Sequence, residues 1–106
     1  MSEHPIDRLF ETIAARRGAS ARKSYTAKLI KAGIAQCAKK LGEEGIETSL
    51  AAVAEDKTAL ANESADLLYH LLVLWAACDL VPEDVYDVLR NREAQSGLDE
   101  KASRKA

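Results

Sequence analysis

Apolar residues recur along this chain at the three- and four-residue spacing of amphipathic helices, and no stretch alternates in the manner of a strand. Ile6, Leu9, Phe10 and Ile13 mark one face of a first helix over 6–16, ended by Gly18. The polar stretch GASARKS follows, and its Ser24 caps a short helix over 25–32 that Gly33 stops or kinks. A long helix spans about 34–55, a turn at Asp56 and Lys57 follows, and a second long helix covers 58–79. Pro82 suits the first position of a last helix reaching about 95, with Gly97 past its end, while residues 98–106 form a polar tail. The pattern predicts an all-α protein, a helical bundle built on a long antiparallel helix hairpin.

That hairpin sets up the chemistry. The stripe on the first long helix reads Ile34, Cys37, Leu41, Glu44, Thr48, Ala51; on the second it reads Leu60, Glu63, Leu67, His70, Leu74, Ala77. A glutamate takes a core-type position in each. Glu47 and Asp66 are equally far from the turn, roughly 14 Å of helix, and Glu44 and Glu63 lie within a turn of that height. Two acidic pairs, Glu44-x-x-Glu47 and Glu63-x-x-Asp66, are therefore expected to face each other. Glu43, Glu44 and Glu47 also share an arc of roughly 100°, at spacings where like charges repel. Ionised carboxylates in a half-buried seam cost several kcal/mol unless a cation joins them. Nearby protein cations are few: Lys39, Lys40 and at most His70. A divalent metal resolves the conflict, and oxygen donors favour Mg²⁺ or Mn²⁺ over zinc. The blander alternative is that Glu43 and Glu47 are solvated charges paired with Lys39 and Lys40.

The chain has 106 residues, 47% of them apolar and 30% charged, with a net charge of −2. That length suits a single domain over 1–106. The charge gives no reason to expect binding to nucleic acid or to an anionic membrane. MSEHPIDRLFETI lacks the basic start and apolar run of a signal peptide. The longest apolar run, Leu71 to Cys78, is too short to span a bilayer. A cytoplasmic protein is expected, with Cys37 and Cys78 as buried free thiols. The segment ADLLYHLLVLWAACDLV is apolar nearly all round, which one short chain does not easily cover, so a homodimer is expected as well.

The order EExxE, a spacer of fifteen residues, then ExxD resembles the all-α nucleoside-triphosphate pyrophosphohydrolase superfamily, which includes the MazG and dimeric dUTPase groups. The flanking words SYTAKLIKAG, KKLGEEGIE, ESADLLYHLLVLW and LRNREAQSGLDEKASRK are similar to the phosphoribosyl-ATP pyrophosphohydrolase family, in that family's order and over nearly the whole chain from Ile6. The resemblance implies Mg²⁺-dependent hydrolysis of phosphoribosyl-ATP to phosphoribosyl-AMP and pyrophosphate, the second step of histidine biosynthesis. Carried over by position, it implies Glu44, Glu47, Glu63 and Asp66 as metal ligands. Glu43 would be a partner to them or a base that orients water, so Glu43, Glu44 and Glu47 are the expected catalytic set. One position departs: the family has alanine where this chain has Gly45, which weakens the helix by about 0.5–1 kcal/mol without moving a carboxylate.

Lys40 is a candidate for a substrate phosphate, with an ion pair to Glu43 or Glu44 as its alternative. Arg92, Lys101 and Arg104 match the family's ending and are candidates for the phosphoribosyl phosphates, against simple surface solubility. Tyr25 and the basic stretch Arg16 to Lys23 are similarly ambiguous. His70 reads as a hydrogen-bonded core residue rather than a ligand, and Tyr69 and Trp75 as packing groups. Two other functions remain open: a related pyrophosphohydrolase acting on other nucleotides through the same ligands, and a non-catalytic helical interaction module. The second predicts no dependence on divalent metal and leaves the inward-facing acids unexplained.

Overall fold

In a computed structural model, which describes residues 4–93, five helices follow one another: α1 (Pro5–Arg16), α2 (Tyr25–Ala32), α3 (Ile34–Val53), α4 (Lys57–Ala77) and α5 (Pro82–Glu93). No strand occurs among the described residues. Local chemistry sets the starts. Pro5 opens α1, where its missing N–H costs nothing, and His4 accepts from the Ile6 amide. Ser24 accepts from the Ala27 amide at 3.1 Å and Asp56 from the Ala59 amide at 3.0 Å, capping α2 and α4. Asp84 reaches back to the Val81 amide at 3.0 Å as α5 begins. Gly33, at φ 106°, is the whole junction between α2 and α3.

The ends of the long helices differ from the sequence expectation. They stop at Val53 and Ala77, two residues before 55 and 79. Both close in the same way. Glu55 takes φ 58° and its amide donates to Ala52, while the Asp56 amide donates to Ala51. Asp79 takes φ 60° and donates to Ala76, while the Leu80 amide donates to Trp75. These are Schellman turns, which satisfy the last carbonyls and normally use glycine. An acidic residue in the left-handed position gives no signal that a search for glycine detects. α3 runs unbroken through Gly42 and Gly45.

α3 and α4 share the most extensive contact in the fold, and α4 also packs on α1 and α2. Their pairings run in opposite order: Thr48 meets Glu63, while Glu44 meets His70, farther along α4. The core lies toward the end of α4, where Leu72, Val73 and Ala76 close on Ile13, Leu29 and Cys37. Tyr69 and Trp75 pack against it as expected, and Tyr69 also shares a 2.6 Å hydrogen bond with Thr26. α1, α2 and α3 thus cover most of α4, so its apolar circumference needs less outside help than the sequence implied. Leu68 of α4 and Leu80 and Val81 just past its end stay exposed, but the most exposed large apolar side chains among the described residues are Ile46, Leu50 and Val53 of α3. Cys37 is buried and donates to the Leu29 carbonyl, but Cys78 is exposed because it sits where α4 ends; both are free. Among the described residues, no single helix is long and apolar enough to cross a membrane.

Candidate functional site

The stripe that buries Cys37 continues two and three turns later to Glu44 and Thr48, so α3 carries a carboxylate into its contact with α4. Glu44 is only 9% exposed. From α4 come Glu63, half-buried, and Asp66, one turn on and exposed. Glu44, Glu63 and Asp66 each present a carboxylate oxygen, and the three oxygens lie within 4.8 Å of one another. Glu44 Oε2 and Glu63 Oε2 are buried without a hydrogen-bond partner among the described residues. An ionised oxygen in that state has lost its water and gained nothing in return.

The electrostatics reflect the same strain. Burial pushes the Glu44 carboxyl above the ordinary carboxylate range, and hydrogen bonding and charge from Glu47, then the charge of Asp66, push it further. Glu63 is raised by burial first, then by Glu47 and Asp66. Protein cations do little to offset this. His70 Nε2 stands 3.8 Å from Glu44 Oε1, too far for a hydrogen bond, and burial lowers its pKa, so the ring is neutral near pH 7. Lys40 turns to Glu43, 3.4 Å away.

A hard divalent cation fits this donor set. The donors are all oxygens, they converge from two rigid helices, and two of the carboxylates each keep a buried oxygen that nothing else satisfies.

Three of the four expected ligands therefore converge. Glu47 is exposed and outside the tight trio, yet close enough to raise both Glu44 and Glu63. Glu43 is exposed and carries the Lys40 ion pair. His70 is buried among rings, with its centroid 5.1 Å from Tyr69 and 6.2 Å from Tyr25, as expected of a core histidine, though without a hydrogen bond among the described residues. Arg92 lies exposed in the last turn of α5, a helix with no extensive contact with α3. Lys101 and Arg104 lie outside the described residues.

Two features escaped the sequence reading. Thr48, counted there as a stripe position, donates from its hydroxyl toward the carbonyls of Glu44 and Glu63. A cleft lined by Tyr25, Lys28 and Ala32 of α2 and by Gln36 and Lys40 of α3 adjoins the acids. The i,i+3,i+7 and i,i+4 spacings of those residues were the available signal.

The chain is similar to known proteins over most of its length. Residues 6–93 match a family model described as phosphoribosyl-ATP pyrophosphohydrolase. A Parvibaculum lavamentivorans protein named phosphoribosyl-ATP pyrophosphatase is 60% identical over 99 residues, covering 93% of this chain and 91% of its own. Proteins of the same name from Azospirillum brasilense and Paracoccus denitrificans are 54% and 52% identical; the alignments cover 95% and 96% of this chain and 91% and 96% of theirs.

Proposed function

We propose that this chain, which belongs to the phosphoribosyl-ATP pyrophosphohydrolase family, hydrolyses phosphoribosyl-ATP to phosphoribosyl-AMP and pyrophosphate, with Mg²⁺ as its resident ion and Mn²⁺ as a substitute. The observation that carries the reading is the convergence of Glu44, Glu63 and Asp66 around two buried, unpartnered carboxylate oxygens. In this reading those three residues hold the ion, with Glu47 as a fourth carboxylate one turn from Glu44. A divalent ion there supplies the positive charge that lets an acidic pocket accept a polyphosphate and that stabilises the departing pyrophosphate.

The chain's own groups do the rest. Around α3, Glu47 lies between Glu43 and Glu44, so Glu43 stands at the solvent edge of the cluster. There its carboxylate orients a water and takes a proton from it as the water attacks phosphorus. Lys40, held 3.4 Å from Glu43, is in position to meet substrate phosphate. Neutral, buried His70 forms part of the wall behind Glu44 and excludes solvent from its inner side.

The same reading includes a homodimer. Ile46, Leu50 and Val53 are 64%, 63% and 81% exposed along one side of α3, an apolar stripe that a second copy would cover. Light scattering at micromolar concentration is expected to give twice the chain mass; a stable monomer overturns this part alone.

The deciding assay is pyrophosphate release from phosphoribosyl-ATP with and without Mg²⁺, alongside ATP, dCTP and dUTP, with Glu44→Gln as control. Turnover of phosphoribosyl-ATP that needs Mg²⁺ and is lost in the variant is the expected result. Preferential turnover of another nucleotide would replace the substrate, and turnover indifferent to metal would overturn the role given to the acids.

A further inference from the structure

Tyr25, Lys28, Leu29, Ala32, Gln36 and Lys40 line a cleft of about 350 Å³ between α2 and α3. Its charged lining is wholly cationic, in a chain whose net charge is −2 and directly beside a carboxylate cluster. Lys40 belongs to both places, one turn before Glu44 on α3. Gln36 lies one turn further back, so the far end of the cleft is roughly 12 Å of helix from Glu44. Lys28 has no carboxylate partner among the described residues, and neither the Gln36 amide nor the Tyr25 hydroxyl has a hydrogen-bond partner there. The ring of Tyr25 is 52% exposed and is held from behind by Tyr69, stacked at 6.4 Å, and by His70, edge-on at 6.2 Å. His70 in turn touches Glu44, so cleft and cluster share one wall.

Resting on the activity proposed above, we propose that this cleft holds the monophosphate of the substrate's second ribose, through Lys28, Gln36 and Lys40, and so selects a phosphoribosylated nucleotide over ATP. The substrate is anionic at both ends, with a triphosphate on one ribose and a single phosphate on the other, joined through a purine. The site has matching ends: an acidic, ion-binding one and a cationic one, joined by a fixed aromatic ring that offers a face to the base. An ordinary nucleoside triphosphate fills only the acidic end and leaves the lysines unused.

The test uses the full chain and Lys28→Ala, with Lys28→Arg as the conservative variant. Lys28 is exposed, so its removal leaves the fold intact, which circular dichroism verifies. Calorimetric binding of phosphoribosyl-AMP and of AMP is measured beside the kinetics of phosphoribosyl-ATP. Loss of one charge-assisted contact is expected to weaken phosphoribosyl-AMP by roughly ten- to a hundredfold. AMP and Mg²⁺ affinities should stay the same, the kinetic loss should fall on KM rather than kcat, and arginine should restore most of it. An unchanged kcat/KM in both Lys28→Ala and Lys28→Ala/Gln36→Ala, or an equal loss for AMP, overturns the inference while the proposed activity stands. If the unaltered protein neither hydrolyses phosphoribosyl-ATP nor prefers phosphoribosyl-AMP to AMP, both fall together.

Discussion

The Thr48 hydroxyl stands 3.1 Å from the carbonyl oxygen of Glu63 and 2.8 Å from that of Glu44, so one side chain fastens the backbone of both residues that bury an unpartnered carboxylate oxygen. Thr48→Val keeps the shape and removes the donor. It should cost about 1 kcal/mol of stability. It should also raise the Mg²⁺ concentration needed for half-maximal activity about tenfold, the usual scale for groups that orient ligands. Calorimetry and a Mg²⁺ titration check the two effects separately. A stability loss with an unchanged Mg²⁺ requirement would show that the tie holds the helices but not the site.

Glu63→Gln should act in opposite directions on fold and function. The glutamate is desolvated and repelled by Glu47 and Asp66, so the metal-free protein gains when its charge is removed. In EDTA at neutral pH the variant should melt higher than the parent, by about 2–4 °C. Saturating the parent with Mg²⁺ at about 100 times its Kd adds about 2.7 kcal/mol. The variant should show little of that gain and release pyrophosphate about 100-fold more slowly. A lower melting point in EDTA would mean that the cluster is not strained without metal.

Glycine is placed unfavourably in this chain, present inside α3 at Gly45 and absent at the left-handed helix ends Glu55 and Asp79. A Cβ on Gly45 would meet only Leu67 Cδ1, at an ordinary 4.0 Å. Gly45→Ala should therefore stabilise α3 by about 0.5–1 kcal/mol. Glu55, by contrast, holds a left-handed conformation at the end of α3, and Glu55→Gly should gain about 0.5–1 kcal/mol by relieving it. Asp79→Gly should gain less, because Asp79 forms a 2.6 Å ion pair with Arg17 that the change would remove. Denaturant melts of the three variants give the ranking.

α5 should loosen at high pH. Tyr86 donates to Asp7 on α1 at 2.8 Å. Burial, then the hydrogen bond and charge of Asp7, hold the phenol up at about 12. The folded value lies above the unfolded one of about 10, so the stability linked to this proton is whole below about pH 10 and is lost as pH rises through about 12. Urea melts at increasing alkaline pH should show a decline that Tyr86→Phe lessens, with the variant about 1 kcal/mol less stable at neutral pH. A parallel decline in both proteins would assign the loss to other groups.

Glu44 illustrates how far a one-dimensional pattern reaches. Helical spacing put it on the stripe with Cys37 and Leu41, and arithmetic along the two long helices put it near the height of Glu63 and Asp66; both statements depend only on 1.5 Å and 100° per residue. Ser24, Gly33, Asp56 and Pro82 act within one turn of their own position, so the helix starts were legible too. The far ends of α3 and α4 were not. Glu55 and Asp79 adopt a conformation that their side chains do not advertise, and the Asp79 turn is joined by an ion pair to Arg17, 62 positions away. Glu47 shows the other limit. Its spacing from Glu44 is that of Asp66 from Glu63 and both are exposed, yet only Asp66 brings an oxygen into the tight trio, because the rotation of each helix about its own axis depends on how α1, α2 and α3 pack around α4. Which acids exist, and at what height, follows from the chain alone. Which of their oxygens lose water together, and that Lys28 shares a cleft with Gln36 and Lys40, depends on contacts between helices, and only the packed molecule settles those.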